Sequence, residues 1–91
     1  MGVVVVLAEV GRRDRVLCQI TSNPYGDVSA VMLDQAALAR GSLRVASYAR
    51  PGKFFTASDD LVVGEVGALT SDALTRLVDA AVALLRAGRP T

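Results

Sequence analysis

Two short segments of this 91-residue chain place hydroxyl and cationic side chains at the ends of apolar runs. One ends in Thr21 and Ser22, directly before Asn-Pro, and the other carries Arg50 and Lys53 on either side of Pro-Gly. Hydroxyl groups donate single hydrogen bonds, and the planar arginine fork binds an oxyanion through two donors, so these residue types suit an anionic ligand. Considered alone, however, Thr21 and Ser22 are better interpreted as turn caps.

Composition excludes several other kinds of chemistry. The sequence has no histidine, the commonest general acid/base and metal ligand, and its single cysteine allows neither an internal disulfide nor a Cys-based zinc site. Cys18 is flanked by apolar residues and is expected to be a small buried core residue without a catalytic role. Neither a phosphate-cradling glycine loop nor a Ser/His/Asp set occurs. Any catalysis is therefore expected to use other groups, and no cofactor is expected.

Charge is distributed unevenly although the net charge is only +1. Residues 1–53 contain seven basic and four acidic side chains, whereas residues 54–91 contain three and five. The first part is therefore the better place for an anion. Nine of the ten basic residues are arginine, which is also what a GC-rich genome produces, so composition alone says little about nucleic acid. The cluster of Arg12, Arg13 and Arg15 around a hairpin turn is expected to be a solvated face.

The length of the chain allows one domain, residues 1–91, with a core that is only marginally sufficient. Packing against a second copy or a partner would add buried surface, so a homodimer is expected. The longest apolar run, residues 3–8, is much shorter than the roughly 20 residues of a membrane helix. No basic stretch typical of a signal peptide precedes it, and a cytoplasmic location is predicted.

The pattern of apolar runs predicts an α+β, mainly β domain that ends in one helix. Strands are predicted at residues 3–7, 15–21, 28–33, 43–48, 54–56 and about 61–66. The first strand is wholly apolar and is expected to be covered on both faces. Polar residues 9–14 predict the first turn, and residues 23–27 form a strong loop signal. Pro51-Gly52 is expected to break or bend the ladder between the fourth and fifth strands.

Two helices are predicted, one short and one long. Asp34 is expected to cap a helical stretch over residues 35–40 that Gly41 closes. Thr70 or Ser71 is expected to cap a helix that continues to about residue 87. Its apolar stripe consists of Leu74, Leu77, Val78, Ala81, Val82, Leu84 and Leu85. This stripe, with Phe54, Phe55 and Val62, is predicted to belong to the core or to a dimer interface.

The segments VLCQITSNPYGD and GSLRVASYARPGKFFT, followed by VGALTSDAL and the amphipathic helix, resemble the MazF/PemK family of toxins from type II toxin–antitoxin pairs. The likeness covers about residues 3–85. It implies an SH3-like small barrel of the CcdB/PemK type, a homodimer, and a cognate antitoxin that lies over the RNA groove. The implied activity is metal-independent, sequence-selective cleavage of single-stranded RNA or mRNA.

In that family's chemistry, the RNA 2′-hydroxyl attacks the adjacent phosphate, and the protein supplies donors for the phosphorane, a base and an acid. The resemblance makes Thr21 the catalytic threonine, Ser22 its neighbour and Arg50 a phosphate ligand. The expected RNA-binding residues are Asn23, Tyr25, Arg44 and Lys53, with Tyr25 stacking on an unpaired base. For Arg50, a surface ion pair is an equal alternative. For Lys53 and Tyr25, a plain surface lysine and a loop-packing aromatic are slightly favoured over a role in RNA binding.

Two departures from the family pattern keep other functions open. In the family, an additional strand and a loop that carries an arginine come before the strand that starts here at Val3, whereas Met1 and Gly2 stand in their place in this sequence. In addition, Gly52 stands where some relatives carry an aspartate. A catalytically impaired or truncated homologue that binds RNA or an antitoxin is therefore one alternative. A gyrase poison of the CcdB type, which shares the barrel without the threonine chemistry, is another.

Overall fold

The computed structural model describes residues 3–43, 45–61 and 67–90, which form a mostly β fold with one C-terminal helix. The elements are β1 Val4–Val10, β2 Asp14–Thr21, β3 Val31–Leu33, β4 Leu38–Gly41, β5 Ser47–Ser58, β6 Gly67–Leu69 and α1 Ser71–Ala87. Four strands form an antiparallel sheet in the order β1-β2-β5-β3, curled into a half-barrel, and β4 pairs with β6. The expected α+β, mainly β architecture is confirmed.

The first hairpin is longer than its sequence predicts. Strand β1 continues to Val10, and only positions 11–13 form the turn, where Gly11 adopts a φ of +58°. The polar Glu9 is also paired with β2, because the backbone hydrogen bonds of a ladder do not depend on side-chain polarity. In the described sheet β1 is an edge strand. Of the residues expected to be covered on both faces, Val5 is buried, residues 4, 6 and 7 are partly buried and Val3 is exposed, so this expectation holds only in part.

Strand β5 replaces two predicted strands, and Pro51 lies inside it. The pairing of β2 with β5 shifts between Cys18↔Phe54 and Ile20↔Ala49, so residues 50–53 lie opposite Gln19 alone. This bulge bends the ladder, as expected from Pro51-Gly52, and it accommodates a residue without a backbone N–H donor. The side chain of Pro51 is fully buried.

The predicted helix over residues 35–40 is wrong. Asp34 caps a single 3-10 turn, Gln35–Ala37, by accepting a hydrogen bond from the Ala37 backbone N–H at 3.2 Å. The chain then becomes β4, and Gly41, at a φ of +82°, ends that strand instead of a helix. Pairing with β6 and burial of Ala37 outweigh the local helix propensity of this alanine-rich segment.

Strand β6 is short and was not predicted at this position. A strand was expected near residues 61–66, and residues 62–66 lie outside the described part of the chain. Val62, which was expected in the core or in a dimer interface, is one of these residues. Gly67 crosses close to β4, and a Cβ atom there would overlap the Arg40 carbonyl oxygen. Only glycine therefore allows β4 and β6 this approach.

Helix α1 spans the predicted residues and packs mainly on β5. Thr70 is its N-cap and accepts a hydrogen bond from the Ala73 backbone N–H at 3.1 Å. Only part of the apolar stripe is in the core: Ala81 and Leu77 are buried with Ala73, whereas Val82, Leu84 and Leu85 in the last turns are exposed. This helix is not long and apolar enough to cross a membrane.

The main core lies between the curled sheet and α1. Its buried members are Val5, Cys18, Leu33, Ala37, Ala49, Ala73 and Leu77. Phe54 and Phe55 are 37% and 43% exposed, so they are not core residues, and their place in a dimer interface remains a prediction.

Candidate functional site

The ends of β2 and β5 bring the predicted catalytic residues to one face of the sheet. Thr21 pairs with Tyr48, and Ile20 pairs with Ala49, whose side chain is fully buried in the core. Because side chains alternate along a strand, Tyr48 and Arg50 lie on the opposite face from Ala49, together with Thr21. The alternation therefore puts Thr21 and Arg50 on the same face of the sheet, with Arg50 at the start of the bulge.

Tyr48 is a site residue that sequence reasoning missed. It is half-buried and lies directly across from Thr21, and it neighbours Met32 on its other side. The signal for it was the alternation of Ser47, Tyr48, Ala49 and Arg50, in which the two small residues face the core. An aromatic ring at this position can pack against a nucleobase.

The hydroxyl of Thr21 is engaged within the turn that follows β2. Thr21 Oγ1 donates to the Asn23 carbonyl oxygen at 3.0 Å and lies 3.2 Å from the Asn23 backbone nitrogen, whose N–H it accepts. The turn-cap interpretation is therefore correct for the chain as it stands. The hydroxyl must rotate away from the Asn23 carbonyl before it can donate to a phosphate.

The loop after Thr21 presents its polar and aromatic residues to solvent. Asn23 Oδ1 accepts a hydrogen bond from the Tyr25 backbone N–H at 2.9 Å, which supports a left-handed Tyr25 with a φ of +53°. The Tyr25 side chain is 72% exposed, so it does not serve loop packing. Ser22 and Asn23 are exposed as well. All three are accessible to a ligand at this end of the sheet.

An ion pair joins this loop to β5. Arg50 Nε donates to Asp27 Oδ2 at 3.0 Å, and the two side chains are only 19% and 18% exposed. The Asp27 pKa is lowered, first by the hydrogen bond from Arg50, then by one from the Ser29 backbone N–H, against the opposing effect of desolvation. The positive charges of Arg50 and Lys53 lower this pKa further. Asp27 is therefore an ionised partner of Arg50, and sequence reasoning treated it only as a turn residue.

Lys53 lies at an open cleft beside the β5 bulge. The cleft measures about 370 Å³ and is lined by Val3, Val4, Gln19, Ile20, Gly52, Lys53, Phe54 and Phe55. Lys53 is exposed, and its charge acts on Asp27, so it lies within electrostatic reach of the Arg50–Asp27 pair. An exposed cation next to aromatic rings suits a nucleotide, whose phosphate and base can use both.

Cys18 contacts the backbone of Arg50 from the core. Its Sγ donates to the Arg50 carbonyl oxygen at 3.1 Å, and the residue is completely buried. Burial raises the pKa of the thiol to about 11, against the lowering effect of that hydrogen bond. The thiol therefore stays protonated at neutral pH, which agrees with a structural residue.

The arginines of the first hairpin pair with acidic residues outside this group. Arg13 pairs with Asp60 at 2.7 Å and Arg15 with Asp59 at 2.6 Å. Arg12 and Arg13 are exposed, as expected for a solvated face, whereas the Arg15 side chain is only 30% exposed. Arg44, a predicted RNA-binding residue, lies outside the described residues. Over residues 3–43, 45–61 and 67–90, no group of three acidic or cysteine side chains is placed to hold a metal ion.

Comparison of the chain with models of known protein families and with curated proteins finds no match. The likeness to MazF/PemK toxins therefore rests on the sequence segments quoted above and remains a prediction.

Proposed function

We propose that this protein is the toxin component of a type II toxin–antitoxin pair, a metal-independent endoribonuclease of the MazF/PemK type that cleaves single-stranded RNA. The observation that carries the proposal is the placement of Thr21 and Arg50 on one sheet face, beside an exposed loop with Tyr25. The curled sheet with its C-terminal helix supports an SH3-like barrel of the CcdB/PemK type.

The geometry suits stabilisation of charge on a phosphate. When the RNA 2′-hydroxyl attacks the neighbouring phosphorus, the phosphorane gains negative charge on its non-bridging oxygens, and preorganised donors lower the barrier. Arg50 supplies two terminal nitrogens for this charge, and Thr21 supplies a hydroxyl once it releases the Asn23 carbonyl. Ser22 follows directly in the chain and is an exposed second donor.

Binding of the flanking nucleotides is assigned to the surrounding residues. Tyr25 is exposed and can stack on an unpaired base, Asn23 can donate from its side-chain amide, and Lys53 can neutralise a neighbouring phosphate. As a member of this toxin class, the protein would act as a homodimer and be neutralised by a cognate antitoxin protein over the same groove.

The test is cleavage of a single-stranded RNA in the presence of EDTA. Thr21→Val keeps the β-branched shape and removes the hydroxyl, and we expect it to lower the cleavage rate about 100-fold, the usual effect of deleting one oxyanion donor. Thr21→Ser should retain cleavage because it keeps the hydroxyl. Thr56→Val is the matched control, an exposed threonine on β5 opposite Val16, and should cleave like the wild type. Equal cleavage by wild type and Thr21→Val would refute the assignment.

A second candidate function is an RNA- or antitoxin-binding module without catalysis. Two observations favour it: the Thr21 hydroxyl is engaged in its turn, and Asp27, the carboxylate beside Arg50, is a weak base because its pKa is lowered. A wild-type chain that binds the RNA with or without metal but leaves it intact would establish this function. Gyrase inhibition without RNA loss would instead indicate a CcdB-type poison.

A further inference from the structure

We propose that Asp27 is a positioning residue for Arg50, which it holds by Nε so that the terminal nitrogens of the guanidinium are presented to an RNA phosphate. This inference rests on the proposed function, because it assigns a role to Asp27 within the same site. The direct contact is the 3.0 Å hydrogen bond from Arg50 Nε to Asp27 Oδ2.

The way Arg50 is held leaves its phosphate-binding end available. The two terminal nitrogens make no hydrogen bond or ion pair with another described residue. Among the described side chains, no fully buried nitrogen or oxygen lacks a hydrogen-bond partner, so these two nitrogens are not sealed off from solvent. A guanidinium fixed through Nε keeps the paired donors that fit two phosphate oxygens.

Asp27 is itself held firmly enough to orient its partner. Its Oδ1 accepts the Ser29 backbone N–H at 2.9 Å, its own N–H donates to the Pro24 carbonyl oxygen at 2.9 Å, and its carbonyl accepts from Ala30 at 3.1 Å. On the other side, the Cys18 thiol holds the Arg50 carbonyl. Both ends of the ion pair are thus anchored, and the arginine loses little further side-chain freedom when it binds an anion.

An opposite role for Asp27 would be competition with the phosphate for Arg50. The two roles predict opposite effects of removing Asp27 on RNA cleavage. Removing a competitor, or simply removing a negative charge near the site, would strengthen RNA binding and cleavage. Removing a positioning residue would weaken the transition-state contact, and it would do so only while Arg50 is present.

The test measures RNA cleavage kinetics in EDTA for Asp27→Asn, Arg50→Ala and the double variant. The asparagine can keep its oxygen on the Ser29 N–H, which leaves its amide donors facing Arg50 Nε and removes the orienting contact. We expect Asp27→Asn to lower kcat about tenfold, the scale of one charge-assisted hydrogen bond, with a change in KM of less than about twofold. In the Arg50→Ala background, the same substitution should change nothing.

Two further variants separate this role from general charge or folding effects. Asp59→Asn removes one carboxylate from an arginine pair at the hairpin end, where Asp59 Oδ1 lies 2.6 Å from Arg15 Nε, and should cleave like the wild type. Asp27→Ser retains an acceptor for the Ser29 N–H but is too short to hold Arg50, so it replaces Asp27→Asn if that variant is unfolded by circular dichroism.

Unchanged or faster cleavage by the Asp27 variants would overturn the inference while leaving the proposed nuclease intact. An equal loss in the Arg50→Ala background would also overturn it, because Asp27 would then act only on folding. A wild-type chain that does not cleave RNA would remove the proposed function and this inference together.

Discussion

Two Arg–Asp ion pairs of the same chemistry differ in how deeply they are buried. In the Arg13–Asp60 pair both side chains are about 70% exposed, and such a surface pair contributes little to stability because water and salt screen it. The Arg50–Asp27 pair is less than one-fifth exposed, and it ties the loop after β2 to the bulge of β5. At the residue scale, therefore, Asp27 is both a loop anchor and a neighbour of the candidate site.

This anchoring predicts a defined acid sensitivity. Because the Asp27 pKa is lowered from 3.8 in the folded state, its stabilising contribution is present above that value and is lost as the pH falls through the folded-state pKa. Wild type should therefore be more stable than Asp27→Asn at pH 6, and the difference should shrink below about pH 4. Urea unfolding of both proteins between pH 6 and pH 2 measures it. A difference that stays constant down to pH 2 would contradict the prediction.

Helix α1 shows which local signals suffice to define an element. Its start depends on Thr70, and the apolar spacing that follows is helical whatever the rest of the chain does. Residues 35–41 carry helix-forming residues too, yet they form a 3-10 turn and β4. The two segments differ in length, and helix formation is cooperative. The predicted helix over residues 35–40 has only six residues, which is too short to be stable without tertiary contacts.

At the element scale, the N-cap of α1 is open to a direct test. Thr70→Ala removes the acceptor of the Ala73 N–H and should lower the free energy of unfolding by about 1 kcal/mol. Thr75→Ala, on an exposed position of the same helix, is the control and should be neutral or slightly stabilising because alanine has the higher helix propensity. Urea denaturation followed by circular dichroism compares them. Equal stability of Thr70→Ala and wild type would show that the cap contributes nothing.

The molecule as a whole also carries apolar side chains outside its main core, and some of them are exposed. Leu17 is only 4% exposed but does not belong to the main core; it is flanked across the ladder by Val6 and Phe55, and Phe55 is 43% exposed. This patch lies near the edge strand β1 and the open cleft. Apolar surface beside an open edge is a site where a second chain gains stability by packing.

We therefore expect the protein to be a dimer at micromolar concentration, with this patch in the interface. Phe55→Lys places a charge in the patch and should shift the protein towards the 9.5 kDa monomer in sedimentation velocity. Val28→Lys adds the same charge at a side chain that is 99% exposed, and it should leave the dimer unchanged. Sedimentation of the wild type as a monomer would contradict the dimer, and a dimeric Phe55→Lys would contradict its placement.

The sequence alone determined the elements whose causes are local: the strands β1 and β2 in outline, the loop of residues 23–27 with its turn residues, and helix α1 with its cap. It also identified Thr21 and Arg50 as chemically suited to one anionic ligand. Tertiary structure decided everything that depends on residues far apart in the chain. The register of β2 and β5 brings Tyr48 beside Thr21, and the folding of the loop onto the bulge pairs Arg50 with Asp27, 23 positions away. Local patterns carry no information on such pairings, because ladder register and loop docking are set by burial across the whole sheet.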